Sequence, residues 1–296
     1  MQTGHFSAER SKRPEKRVRD FTAMLEVEIA GDHLDLPSFP EIALRVRRAL
    51  SDEGASIDQV VRVVSAEPSL VVRLLQLGNS AALNPNGRRL TDLRATITRI
   101  GFNMARSATI AFAMSQLRRA EAYKGLEKPF NELWQASTQV AAVSFVVAKH
   151  LTRGRVNTEL ALLAGLLHTV GKLYLLTRAA RVPDLLADAS YPSVVESWHA
   201  RIGRAILVNW DMALPVVDAV QGFEACDRER EGEIDLLDVL WTGRALAALG
   251  RFPTSFPPEL FDSHPARRLG LDAVTCEAVL AESGHEIDSL SSALGD

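Results

Sequence analysis

Leu166-Leu167-His168-Thr169-Val170-Gly171-Lys172-Leu173 is the stretch on which the reading of this chain turns. It ends an apolar run that begins at Leu160, and its first polar side chain is an imidazole. An imidazole followed by an ionised carboxylate would offer a divalent cation two adjacent ligands. Thr169 occupies the carboxylate's place. Its hydroxyl is neutral at pH 7 and a poor ligand for a hard cation, whereas an aspartate brings both charge and coordinating oxygens. The stretch has the outline of a metal site without its chemistry.

Working outward, the flanking sequence is helical and well punctuated. Ser38-x-x-Glu41 and Ser56-x-x-Gln59 have capping-box spacing, and Pro40 and Pro68 fall where a first helical turn accepts proline. Ile42, Ala43, Val46, Ala49 and Leu50 share one helical face, and Val60, Val61 and Val64 form the next stripe. Gly78-Asn79 stops the helix begun at Pro68; Asn79-Ser80 is expected to turn there, because Asn tolerates the left-handed conformation. Thr91 is expected to cap a helix that Gly101 ends, and Asn103 to cap another. Long helices are predicted over 128–151 and 158–176, with further ones over 191–208, 215–225, 236–249 and 271–281. The basic N-terminus, with a short helix over 21–30, reads as a solvated arm, and the serine-containing C-terminus is expected to fray. Strand signals are almost absent, which makes the fold class all-α.

Bulk properties narrow the function. The 296 residues are 47% apolar, enough for a large core, and 34 Lys plus Arg against 37 Asp plus Glu give a net charge of -3. No global field attracts nucleic acid or an anionic membrane. Cys226 and Cys276 lie far apart, outside any zinc or disulfide pattern. The apolar tracts Val140 to Ala148 and Leu160 to Leu167 fall well short of the ~20 residues that cross a bilayer. With no export signal at the N-terminus, a cytoplasmic protein without a membrane role is expected.

Several ordered blocks resemble the HDOD family, regulatory relatives of the HD-domain metal phosphohydrolases. They are Leu36-Pro37-Ser38-Phe39-Pro40, Ala66-Glu67-Pro68, Arg73 to Ser80, Thr91 to Ile97 with Ile100-Gly101, Leu133-Trp134, Ala164 to His168 with Gly171-Lys172-Leu173, and finally His199, Gly203, Trp210 and Leu214-Pro215. The resemblance covers about 36–225. It implies an HD-domain-like helical bundle over 127–226, preceded by an N-terminal helical subdomain over 32–126. A basic, partly disordered arm over 1–31 and a C-terminal helical extension over 227–296 complete the expected layout.

The same resemblance locates a degenerate metal site. A histidine expected just after Trp134 is replaced by Gln135-Ala136, the aspartate after His168 by Thr169, and a late histidine pair by Phe223-Glu224. A last aspartate corresponds to Thr242 or Gly243, with Asp238 one turn earlier. His168 and His199 survive as vestigial candidates that would need a carboxylate such as Glu224 or Asp238. The alternative is structural: His168 bonded to backbone, Thr169 or Glu196, and His199 packed on its helix. His168, Thr169, Lys172, Glu196 and His199 would line any small-molecule pocket.

No catalytic residue, metal or cofactor is therefore expected. The resemblance implies a non-catalytic bacterial signal-transduction module that binds another protein in a signalling pathway, with a nucleotide-like ligand and homo-oligomerisation as open additions. Arg45, Arg47, Arg48, Arg88 and Arg89 form the candidate interaction face, against the plainer reading of a solvated surface. The alternative is a residual metal-dependent phosphohydrolase or phosphodiesterase built around His168 and His199. A third reading, DNA binding, rests on the short helices over 56–80 and the basic arm, and is disfavoured by the acidic balance.

Overall fold

The computed structural model describes residues 4–31, 45–46, 48–49, 56–118, 124–225, 230–250 and 253–295. Among them there is no strand, as the all-α reading requires. The opening Leu36 block, the Ser38 capping signal, Ile42, Ala43, Leu50 and Cys226 lie outside the described residues.

The molecule is organised around one helix. Phe130, Trp134 and every residue of Val140–Ala148 are buried on the helix Glu127–Leu151, α5, so that stretch, apolar but for Ser144, is buried around its whole circumference. Such a helix must be covered on all sides. Three helices do so: α6 (Thr158–Leu167), α10 (Leu236–Leu249) and α14 (Gly284–Gly295). Small residues set the close approaches. A Cβ on Gly165 of α6 would lie 2.4 Å from the Ala141 Cα, and one on Gly243 of α10 would lie 2.1 Å from Ser144 Oγ.

On the far side of α6, helices α7 (Val170–Ala179), α8 (Tyr191–Asn209) and α9 (Leu214–Gly222) pack in sequence. The predicted single helix over 158–176 is two helices, broken at His168-Thr169. By length and composition the whole segment Thr158–Ala179 would pass as a membrane span, with mean hydropathy 1.5, but 83% of the apolar window is already buried inside the protein.

The N-terminal helices are α2 (Ile57–Ser65), α3 (Pro68–Gly78) and α4 (Leu93–Arg118). Ser56 and Gln59 form the predicted capping box, each side chain bonding the other's backbone N–H. Gly101 interrupts α4 with φ 77, as the sequence indicated. Two local readings are corrected. Asp92, not Thr91, caps α4, because its carboxylate accepts from the Ala95 N–H at 2.7 Å. Asn79 keeps φ -100 and stops α3 through its side chain instead of a left-handed backbone.

Both ends of the chain differ from expectation. The N-terminal helix, α1, extends over Gly4–Ala30, where the sequence reading expected a short helix over 21–30. Its second half is held because Phe21 and Leu25 are buried and Glu28 accepts from Tyr174 Oη at 2.6 Å and pairs with Arg178. At the C-terminus, where fraying was expected, the chain is helical to Gly295. After the short helices α11 (Pro258–Asp262), α12 (His264–Leu269) and α13 (Ala273–Glu277), α14 buries Ile287, Leu290, Ala293 and Leu294 between α5 and α3. Arg73, 5% exposed on α3, donates to the Leu294 carbonyl at 2.8 Å, and Trp134 Nε1 donates to that of Gly295 at 3.2 Å.

Candidate functional site

The break between α6 and α7 places His168 and Thr169 at the centre of the bundle, 4% and 3% exposed. His168 Nδ1 meets the Gly165 carbonyl at 2.6 Å. A carbonyl only accepts, so Nδ1 carries the proton and Nε2 keeps the lone pair. Burial drives the His168 pKa down to about 4; the Gly165 bond opposes this, and the charges of Lys172 and Arg244 reinforce it. The ring is thus neutral around pH 7.

Three of the residues that stand where the resemblance implies metal ligands have other partners. Thr169 Oγ1 shares a 2.5 Å hydrogen bond with Ser137 Oγ, which in turn donates to the Leu133 carbonyl. Phe223 meets His168 edge to face, with ring centroids 5.6 Å apart. Glu224 Oε2 accepts from His199 Nε2 at 2.5 Å. The consecutive residues Phe223 and Glu224 each engage one of the two surviving histidines. Ala136 is exposed, and Thr242 is buried with no partner for its hydroxyl among the described residues.

Glu224 also draws in two cations, Lys172 Nζ at 3.3 Å and Arg244 Nη2 at 3.7 Å. Burial works to raise its pKa, but the hydrogen bond from His199 and the Lys172 charge outweigh it and hold the carboxyl at about 2. This carboxylate therefore ties together α7, α8, α10 and the turn Phe223–Ala225. Close packing keeps α7 against α8, since a Cβ on Gly171 would fall 1.9 Å from the His199 carbonyl oxygen.

These residues do not fit a divalent metal. A metal would need the His199 Nε2 that Glu224 holds and a carboxylate where Thr169 stands. Among the described residues no three His, Cys, Asp or Glu side chains are grouped to hold an ion. Asp238, the other carboxylate considered, is fully buried and clamped by Arg230 and by Arg268 Nε at 2.9 Å, a local fastening of α10 to the C-terminal segment.

The remaining predicted residues are placed as follows. Lys172 joins the cluster through Glu224. Glu196 is exposed on α8, one turn before His199, and the bond suggested for it is made to His168 by the Gly165 backbone. Arg45 and Arg48 are exposed ahead of α2, Arg88 and Arg89 are exposed between α3 and α4, and Arg47 lies outside the described residues. The sequence reading missed Ser137 and Arg244. Each adjoins a flagged position, Ala136 and Gly243, and a check of the neighbouring helical residues would have found them.

The model of the HDOD domain matches residues 36–225. The chain belongs to the HDOD family. Solved structures agree on the fold. A Shewanella amazonensis SB2B protein, provisionally named a metal-dependent phosphohydrolase, superposes with TM-score 0.79 at 23% identity, covering 95% of this chain and 99% of its own. An HDOD domain protein of unknown function from Geobacter sulfurreducens gives 0.62 at 20% identity, covering 95% and 97%. A Marinobacter aquaeolei VT8 protein, provisionally named a signal transduction protein, gives 0.61 at 23% identity; this chain is 90% covered and spans 61% of that one. An uncharacterized protein of Treponema pallidum (strain Nichols) is 22% identical over 214 residues, 69% of this chain, and this chain spans about 40% of that relative's length. For an HDOD chain the bundle is thus the familial one.

Proposed function

We propose that this HDOD chain is a non-catalytic regulatory module of a bacterial signalling pathway, working in the cytoplasm through contacts with another protein. The observation that carries the reading is the pairing of Phe223 with His168 and Glu224 with His199. Together with the Thr169–Ser137 bond it consumes the positions at which a hydrolase would hold a metal. A metal-bound water, the usual source of a nucleophile for phosphoester hydrolysis, has no ligand set to form on. The signal-transduction description of the Marinobacter neighbour supports the regulatory role. Exposed arginines at Arg45, Arg48, Arg88 and Arg89 supply polar contacts for a partner, and a second copy of the chain or a nucleotide-like ligand remains compatible with the same module.

The test is metal content. Purified protein is incubated with manganese, iron or magnesium, desalted, and measured by inductively coupled plasma mass spectrometry alongside a His168→Ala/His199→Ala variant. The expected result is well under a tenth of a metal per chain in both. Near-stoichiometric metal that disappears in the variant would overturn the proposal and restore the phosphohydrolase reading.

A further inference from the structure

A second feature lies away from the histidines, where α3, the 79–91 loop and the start of α14 meet. They enclose a cleft of about 930 Å³. This falls in the range of small-molecule sites, roughly 300–1,000 Å³. Its wall is apolar at Val72, Leu75 and Leu90, and its rim carries Arg89 and His285. Val72, 54% exposed, presents its side chain at the cleft.

Three observations indicate a built site. Ser80 lines the cleft at 5% exposure, and its hydroxyl has no hydrogen-bond partner among the described residues. Buried hydroxyls are seldom left in that condition. Secondly, the loop is fastened before any ligand arrives. Asn79 donates to the Leu75 and Leu90 carbonyls, each at 2.8 Å, and accepts from the Leu90 N–H at 2.7 Å, while Arg99 Nη1 holds the Arg88 carbonyl at 3.1 Å. A preformed wall spares the ligand the cost of ordering it. Thirdly, the charge is one-sided: no carboxylate is among the described lining residues, and Arg89 forms no ion pair among the described residues.

We infer that this cleft binds a small organic anion, an acidic group on an apolar or aromatic body. The acidic group would be held by Arg89, with Val72, Leu75 and Leu90 around the body and Ser80 lying behind that wall. Because His285 belongs to α14 and the other residues to α3 and the loop, occupancy would bind the C-terminal helix to the N-terminal ones. The inference does not depend on the reading of the histidine centre.

The probe is anilinonaphthalene sulfonate, an aromatic monoanion, titrated against the full chain by fluorescence, with the uncharged phenylnaphthylamine as control. Expected is saturable binding of one probe per chain. Arg89→Ala should weaken the sulfonate about tenfold, or about 1.4 kcal/mol, and leave the neutral compound unchanged. Val72→Glu, at an exposed position and with unchanged circular dichroism, should weaken the sulfonate further. Unsaturable binding, or sulfonate affinity indifferent to both substitutions, would overturn the inference.

Discussion

His168 is a buried imidazole whose effect on stability depends on pH. Its proton sits on Nδ1, bonded to Gly165, and the charged form is penalised by burial, so the folded pKa is about 4 against 6.5 for an exposed imidazole. The sign follows from proton counting. Between these values the unfolded chain binds a proton that the folded chain does not, so the residue's contribution is complete above about pH 6.5 and is lost as pH falls towards 4. Between pH 7 and pH 5 this removes about 2 kcal/mol of unfolding free energy. Urea unfolding of the native chain and of His168→Gln at the two pH values should show the native chain losing that much more than the variant; parallel losses would refute the assignment. Glu224 acts in the same direction at lower pH, its share being lost as pH falls from about 4.5 towards 2. Much of this centre was legible in the sequence, because substitution by Thr169, Phe223 and Glu224 changes residue class at recognisable positions. The new partnerships were not legible. That Phe223 turns to His168 and Glu224 to His199 is decided by how three helices and a turn converge, which spacing along one segment cannot reveal.

At the scale of the element, the helices most readable in the sequence are those whose apolar periodicity and end signals agree. The helix Leu236–Leu249 is bounded as the pattern predicted, with Asp235 capping it. The break in α4 was visible for the same reason, since Gly101 adopts a positive φ that other residues resist. The split of the segment over 158–179 was hidden, because its apolar run continues through His168-Thr169 with no glycine or proline between the two helices. The crossing of α7 and α8 gives a test of what shapes these elements. Gly171 faces the His199 backbone with no room for a methyl, whereas a Cβ on Gly203 would meet Val220 Cγ1 at 3.4 Å, ordinary contact. Gly171→Ala must therefore push the helices apart and disturb the His199–Glu224 pair, a loss of about 3 kcal/mol, the upper end for overpacked cores. Gly203→Ala gains up to about 1 kcal/mol in helix propensity and should remain within about 1 kcal/mol of the parent. Thermal unfolding of the two variants distinguishes them, and equal shifts would show that the crossing is more yielding than its geometry implies.

For the whole molecule, the decisive element is the one whose sequence looked least structured. The serines and the acidic ending disguise α14, yet Ile287, Leu290 and Leu294 recur at three- and four-residue intervals and are buried. The helix closes the open side of α5 while touching α3, so it joins the N-terminal helices to the bundle. Arg73 makes the link specific. Its guanidinium is buried, lies 5.9 Å from the centre of the Phe112 ring, and bonds the Leu294 carbonyl; removing α14 takes away that acceptor and exposes the apolar faces of two helices. Three large aliphatic side chains at about 1.5–3 kcal/mol each give a loss on the order of 6 kcal/mol. At about 2–4 °C per kcal/mol for a chain of this size, deletion of residues 284–296 should lower the melting temperature by well over 10 °C. Hydrogen exchange should then quicken first on α3 and α5, while α8 and α9, which pack mainly on each other and on α6, α7 and α10, keep more of their protection. A deletion variant that melts within a few degrees of the full chain, with α3 still protected, would show instead that the N-terminal helices hold to the bundle without the C-terminal one.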